Sequence, residues 1–219
     1  MKTTNITFLI LGLLFTSCSS LFTTTIHGSG IPASETRTLP GFTTVDLQGA
    51  ADLQITLGAQ DSLRVETDHN ILSFVDTWVQ GGKLCVSTKS GVNFSTSLGV
   101  KVILTMKSLS RVDLTGMGNV RVLGVIQDLD VTLTGLGNIT LEGVCGRFNA
   151  SLTGNGTIFA QGLQAQDVNI SLTGVGDTRV QVNRSLNAEI TGMGSIYYSG
   201  SPLLVEKRIT GLGSIIHNP

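Results

Sequence analysis

Leu133-Thr-Gly-Leu-Gly-Asn-Ile139 is one of six closely similar heptapeptides in the second half of this chain. The threonines of the six copies are Thr115, Thr134, Thr153, Thr173, Thr191 and Thr210. The steps between them are 19, 19, 20, 18 and 19 residues. A fixed period near 19, with strand-forming residues on both sides, is typical of a β-solenoid in which each repeat forms one coil.

Apolar residues recur at fixed places in every repeat, which predicts a core of stacked columns. One column precedes the threonines: Leu114, Leu133, Leu152, Leu172, Ile190 and Ile209. Another follows the second glycine: Val120, Ile139, Ile158, Thr178, Ile196 and Ile215. The coil length drifts from 18 to 20, and no six-residue sub-repeat is present. We therefore predict an all-β, right-handed parallel β-helix with about 19 residues per coil, because parallel crossovers favour that hand.

Composition agrees with stacked strands and excludes some partners. Charged residues make up 13% of the chain, and 27 residues are glycine. A net charge of −1 leaves no basic footprint for nucleic acid.

The first 18 residues are predicted to be an export signal. Lys2 supplies the positive start, an apolar run covers residues 6–15, and small residues precede Cys18. The run of roughly ten residues is shorter than the about 20 that a membrane span needs. The end of the segment resembles a bacterial lipobox, although Phe15 stands where leucine is usual. This resemblance implies that Cys18 is the lipidated first residue of the mature protein; the alternative is a plain secretory signal.

Three further segments follow the signal. Residues 19–40, rich in Thr, Ser and Gly, are predicted to be a flexible tether. Residues 41–111 are predicted to form irregular strands, continuous with the solenoid, with a hairpin at Gly81-Gly82. Residues 112–219 are predicted to form the regular coils. Cys85 and Cys145 lie among alternating apolar residues, so we favour two separate buried thiols over a disulfide.

The repeated Thr-Gly-x-Gly corner, with a lipobox-like segment ahead of it, resembles the GIN-domain family. The resemblance covers roughly residues 42–216 and includes the Gly81-Gly82 hairpin. Members are described as head domains of auto-transporter adhesins in exported lipoproteins of Gram-negative bacteria. The resemblance implies a β-helix in the cell envelope and carries over no catalytic residues.

Catalytic, metal and cofactor sites find little support in the sequence. Polysaccharide cleavage needs two carboxyl groups about 5–9.5 Å apart, and Asp128 and Asp167 share a column two coils apart, or roughly 10 Å. We favour solvated turn residues over a catalytic pair. The polar corner column is expected to satisfy backbone groups rather than a ligand, and it consists of Asn119, Asn138, Thr157, Asp177, Ser195 and Ser214. Calcium is disfavoured because only one of these six is an aspartate, and we predict no metal and no cofactor.

The residue between the two corner glycines is the most informative variable position. It is apolar in five of six copies: Met117, Leu136, Val175, Met193 and Leu212, with Asn155 as the exception. If these side chains point outward, they form a candidate binding or self-association stripe. If they turn inward, they extend the core, and this second interpretation is the one we favour from sequence.

These observations predict a non-catalytic cell-envelope β-helix lipoprotein, outer-membrane anchored and either periplasmic or surface-exposed. Its role is predicted to be structural or adhesive. The expected partners are the membrane, through the lipid anchor, and also a second copy or a glycan or protein ligand. The alternative is a carbohydrate-binding or carbohydrate-cleaving β-helix that uses one polar face.

Overall fold

The structure, a computed structural model, describes residues 25–218. The predicted signal, Cys18 and the first part of the predicted tether lie outside these residues. Nine strands form the N-terminal part: β1 (Thr25–His27), β2 (Pro32–Arg37), β3 (Thr44–Leu47), β4 (Asp52–Leu57), β5 (Ser62–Asp68), β6 (Val75–Gln80), β7 (Lys83–Thr88), β8 (Asn93–Ser95) and β9 (Lys101–Met106). A single 3₁₀ turn covers Leu72–Phe74.

Nine further strands form the regular coils. They are β10 (Arg111–Leu114), β11 (Met117–Val125), β12 (Leu129–Leu133), β13 (Leu136–Leu152), β14 (Asn155–Leu172), β15 (Val175–Ile190), β16 (Met193–Ser199), β17 (Leu204–Ile209) and β18 (Leu212–His217). Successive coils pair in parallel, and about 19 residues separate stacked positions. The predicted all-β solenoid is therefore confirmed. Within the described residues, no helix is long and apolar enough to cross a membrane.

The core consists of the predicted apolar columns. Leu47, Leu114, Leu133, Leu152, Leu172 and Ile190 are fully buried. Among the described residues, Phe148 is the largest fully buried side chain, and it lies in register between Leu129 and Val168. Each column is continuous because every residue lies about 4.8 Å from its counterpart in the next coil. Cys85 and Cys145 are buried and free, as predicted, and burial raises the pKa of the Cys145 thiol to about 11.

One column contains a polar residue, Thr178, in line with Ile158 and Ile196. Its side chain is fully buried, and its hydroxyl has no hydrogen-bond partner among the described residues. A buried, unsatisfied hydroxyl costs about 1–3 kcal/mol. This position is therefore a local weakness in the core.

Thr178→Val is expected to stabilise the fold by about 1 kcal/mol, because it replaces the unpaired hydroxyl with a methyl group of similar shape. The midpoint of urea unfolding would measure the gain. Val120→Thr, the reverse substitution three coils earlier in the same buried column, is the matched control and should destabilise. A lower midpoint for Thr178→Val would mean that the hydroxyl has a partner in solution.

The N-terminal strands form a cap on the first coils. The coil formed by β3 and β4 lies between the coil formed by β7 and β9 and the coil formed by β10 and β11, so the chain doubles back. Antiparallel strands then cover the outermost edges: β6 pairs with β7 at the Gly81-Gly82 hairpin, as predicted, while β5 pairs with β9 and β2 pairs with β5. Capping of this kind protects the edge strands of a solenoid.

The prediction of a flexible tether over residues 19–40 is wrong for most of its described part. Thr25–His27 pairs in parallel with β8, and Pro32–Arg37 pairs with β5. The segment lacks a sustained hydrophobic period because its strands are mostly exposed and are held by polar contacts. The carboxylate of buried Asp68 accepts hydrogen bonds from the Gly30 amide (2.6 Å) and from the hydroxyls of Ser97 (3.1 Å) and Thr96. The Thr96 hydrogen bond is the main cause of the lowered pKa of Asp68.

At the other end, the inward columns finish in polar residues. Lys207 is aligned with Ala188, and His217 is aligned with Tyr198. The Lys207 ammonium lies 4.8 Å from the centre of the Tyr198 ring, and the His217 ring stacks on the same tyrosine at 4.8 Å. These cationic and amphipathic side chains cover the apolar end of the last described coil.

Candidate binding surface

The Thr-Gly-x-Gly corner brings the backbones of neighbouring coils into unusually close contact. A Cβ atom added to Gly137, which has a φ of 139°, would lie 1.7 Å from the carbonyl oxygen of Gly118. The amide of the intervening residue bonds to the coil below, as Leu136 does to the Gly116 carbonyl oxygen at 2.9 Å. Since the backbone is packed and hydrogen-bonded along the solenoid axis, the side chain between the glycines has room only on the outside.

These side chains accordingly point outward, contrary to the inward packing that we favoured from sequence. Met117, Leu136, Met193 and Leu212 are 54%, 52%, 52% and 75% exposed, and Val175 is 44% exposed. Exposed Ala50 continues the same column through its bridge to Met117. We call these seven positions the corner stripe: Ala50, Met117, Leu136, Asn155, Val175, Met193 and Leu212.

The stripe is about 29 Å long, because six steps of about 4.8 Å separate its ends. On one side lies the exposed column of corner threonines, and on the other lies the polar corner column. Two side chains of the second column satisfy corner amides in the predicted way: the Thr157 amide donates to Asn138 Oδ1 at 3.1 Å, and the Ser195 amide donates to Asp177 at 2.9 Å. The stripe is thus a narrow apolar surface with largely uncharged borders.

The N-terminal end of the stripe opens into a cleft of about 740 Å³. Ala50, Met117 and Leu136 form one wall, while Val92 and Phe94 belong to the segment around β8. The remaining lining consists of polar uncharged residues and glycines: Thr25, Gln48, Gly49, Thr88, Asn93, Thr115, Gly116 and Gly135. The cleft is open to solvent, and none of the described lining residues is charged. Asp68 indirectly supports this region, because it fixes the loops next to β1 and β8.

A second, polar groove of about 430 Å³ runs across the sheet formed by β10, β12 and the ends of β13 to β15. Its floor carries an amide ladder in which Asn149 donates to Asp130 at 2.7 Å and Asn169 donates to Asn149 at 2.8 Å. Arg111 borders the groove and donates to Thr132 at 2.9 Å. The exposed amides and hydroxyls provide hydrogen-bonding groups for a polar ligand.

The two carboxylates that the sequence singled out are held by other contacts. Asp128 accepts the Arg147 amide at 2.7 Å. Asp167 forms an ion pair with Arg184, and Ser185 donates to it at 2.6 Å. The hydrogen bond from Arg184 is the main reason that the pKa of Asp167 falls to about 2. A group with this pKa stays ionised at neutral pH and does not serve as a general acid.

A different carboxylate pair, Asp46 and Asp113, was missed from sequence. The two are buried, aligned on adjacent coils, and share Lys83, whose ammonium lies 3.8 and 3.9 Å from them. Arg111 also donates to both oxygens of Asp113. The signal is the repeated Val-Asp-Leu in residues 45–47 and 112–114. Two cations balance the two carboxylates, so we interpret the pair as a structural network.

The described residues also offer no cluster of metal ligands. Residues 25–218 contain no group of three or more His, Cys, Asp or Glu side chains placed to hold an ion.

Comparison with known proteins relates the chain to a family described as adhesins. Residues 41–202 match the family model described as "Putative auto-transporter adhesin, head GIN domain". A crystal structure of a "putative adhesin" from Bacteroides fragilis is 23% identical, with a TM-score of 0.74; the match covers 88% of this chain and 100% of that chain. A "putative lipid binding protein" from Parabacteroides distasonis is 21% identical, with a TM-score of 0.55, covering 90% of this chain and 100% of that chain. At these identities, the two structures establish the shared fold.

No curated protein matches the chain in sequence.

Proposed function

The chain belongs to the head GIN-domain family, and from this premise we propose that it is a non-catalytic adhesive module of the cell envelope that binds its partner through the corner stripe. In this proposal, Cys18 carries the lipid that anchors the protein to the outer membrane. The coils then act as a rigid support that presents one apolar edge to the partner.

The observation that carries the proposal is the outward direction of the stripe. Five of its seven side chains are large, apolar and at least 44% exposed. A line of such residues, interrupted only by Asn155, is uncommon on a soluble monomer and marks an interaction surface. Burial of each Leu, Met or Val side chain against a partner contributes about 1.5–3 kcal/mol, so a few such residues supply useful affinity.

The position of the cleft supports the same assignment. It lies at the end of the stripe where the described chain begins, because Thr25 lines it. Cys18 is seven residues earlier, which is at most about 25 Å of extended chain. A lipid on Cys18 would therefore hold the cleft close to the membrane. One structural neighbour is named a "putative lipid binding protein", and an uncharged cleft with apolar residues on its walls would suit such a ligand.

A glycan and matrix-protein array tests the proposal. The protein is the full chain carrying Cys18→Ser, which removes the predicted lipid site. We expect specific binding that falls at least about tenfold in a variant with Met117, Leu136, Val175 and Met193 changed to Ser, since four apolar contacts are lost. Val144→Ser is the matched control, because Val144 is 54% exposed but lies outside the stripe. Full binding by the four-serine variant would contradict the proposal.

The polar groove favours a second candidate function, carbohydrate binding. The ladder from Asp130 to Asn169 offers hydrogen-bonding groups to a polar ligand. The groove that contains it is lined by none of the stripe residues. Here Asn149→Ala with Asn169→Ala should abolish glycan binding on the array, while the four-serine variant keeps it. Asp128→Asn with Asp167→Asn should leave either kind of binding unchanged. If the wild-type protein releases sugar from a glycan and the variant with Asp128→Asn and Asp167→Asn does not, the result would instead support a carbohydrate-cleaving enzyme.

A further inference from the structure

The order of side chains in the corner stripe reads nearly the same in both directions around its middle. From one end, the seven positions are Ala50, Met117, Leu136, Asn155, Val175, Met193 and Leu212, with Asn155 in the fourth place. We infer that the partner of the stripe is a second copy of this chain, bound antiparallel across a two-fold axis at Asn155. This inference rests on the proposed function, since it names the partner of the same surface.

The antiparallel arrangement matches side chains of similar character at every step. Both copies have the same coil spacing, so their stripes stay in register along their whole length. Met117 faces Met193 of the partner subunit, and Leu136 faces Val175 of the partner subunit. Ala50, the smallest residue, faces Leu212 of the partner subunit, which is the most exposed one. A two-fold contact of this kind is the commonest symmetry of protein dimers.

The two-fold axis explains why Asn155, the one polar residue of the stripe, lies at its centre. Its side chain is exposed and forms no hydrogen bond within residues 25–218, although its backbone amide bonds to Gly135. On the two-fold axis, the two amides can each donate to the other, because an amide has both donors and an acceptor. A single asparagine in an apolar seam fixes register in coiled coils for the same reason.

The columns beside the stripe do not oppose this contact. The in-plane two-fold axis places threonine column against threonine column, and polar corner column against polar corner column. Asp177, in the fifth coil of the stripe, then faces Asn138 of the partner subunit, in its third. The carboxylate meets an amide rather than a like charge, and one hydrogen of the Asn138 amide is left over after its bond to Asn119.

The clefts make the contact larger than two narrow edges alone. The cleft occupies the first three positions of the stripe, so it receives the last three positions of the partner. The exposed Leu212 of the partner subunit thus enters beside Phe94, and the symmetry fills both clefts.

The stripe alone, about 29 Å long and about 10 Å wide, covers roughly 300 Å² per copy, against about 800 Å² per copy in a stable dimer. The dimer is therefore expected to be weak in solution and strengthened where many copies share a surface.

Sedimentation equilibrium of the full chain with Cys18→Ser tests the inference. We expect a concentration-dependent dimer. Met117→Lys or Met193→Glu alone should weaken it at least about tenfold, because each buries two charges, one from each copy, against apolar side chains. The double variant should restore it, since each lysine then faces a glutamate. Within one copy the two positions are four coils apart, about 19 Å, so they cannot pair internally.

Thiol cross-linking provides a second, geometric test in the same background. Asn155→Cys lies on the proposed axis, so a short bismaleimide should join the two thiols, which face each other across the contact between packed side chains. Met117→Cys is also exposed, but in the dimer the two Met117 positions are about 19 Å apart along the stripe, so this variant should not cross-link. Cys85 and Cys145 are buried and should not contribute.

A wild-type protein that remains monomeric at all accessible concentrations would overturn the inference. So would cross-linking at Met117→Cys without cross-linking at Asn155→Cys. If the stripe still binds array ligands in either case, the proposed function stands and only its self-partner fails. If dimers form but the four-serine variant binds array ligands as well as wild type does, the self-partner inference stands and the proposed binding of other ligands through the stripe fails. Circular dichroism of every variant excludes loss of fold as the cause.

Discussion

Gly137→Ala is expected to unfold the solenoid, with a loss of more than about 4 kcal/mol of unfolding free energy. The new Cβ would lie 1.7 Å from the Gly118 carbonyl oxygen, and the φ of 139° is one that residues with side chains rarely adopt. The obstructing atom is backbone, so no rotamer change relieves the clash. Relief requires the two coils to separate, which breaks their hydrogen bonds and opens the core columns.

Urea unfolding followed by far-ultraviolet circular dichroism would measure this loss. Gly41→Ala is the control, because no atom lies within 4 Å of its added Cβ and its φ is ordinary. It should change stability by less than about 0.5 kcal/mol. If Gly137→Ala unfolds at the same urea concentration as Gly41→Ala, the corner is looser in solution than the close backbone contact requires.

Phe148→Ala is expected to destabilise the fold by about 3–5 kcal/mol. Phe148 is 1% exposed and fills the column between Leu129 and Val168. Stacked coils cannot close over the gap without shifting the register of their neighbours, so the cavity remains largely open. Urea unfolding followed by circular dichroism would measure this loss as well.

Phe159→Ala is the matched control for that cavity. Phe159 lies on the next strand, β14, where it alternates to the outer face and is half-buried. Its loss should cost about 1 kcal/mol or less, because partly exposed side chains lose less transfer free energy. Equal effects of the two substitutions would mean that the column positions do not form the main core.

The repeats were predictable because each coil uses the same physical solution. The glycine pairs, the threonines and the apolar columns recur every 19 or so residues, and the strands lie where those columns predict. The N-terminal cap was less predictable, because β1 and β2 are short and exposed, and polar contacts to residues such as Asp68 hold them. Contacts across 30 to 40 residues leave no local pattern.

The candidate site shows the same division. The residues of the stripe were visible in the sequence, but their outward direction was not, since it depends on how closely Gly137 and its counterparts pack against the coil below. The cleft was not visible either, because it forms where Phe94 approaches Met117 in space. Ala50 joined the stripe only through its bridge to Met117.

Together, the two proposals make the corner stripe an adhesive surface that recognises a second copy. Beads coated with the Cys18→Ser protein test it under the crowded conditions of a cell surface, by light scattering. Wild-type beads should aggregate with one another, and beads that carry only the four-serine variant should stay dispersed. Aggregation of the variant beads to the wild-type extent, or dispersion of the wild-type beads, would contradict the account.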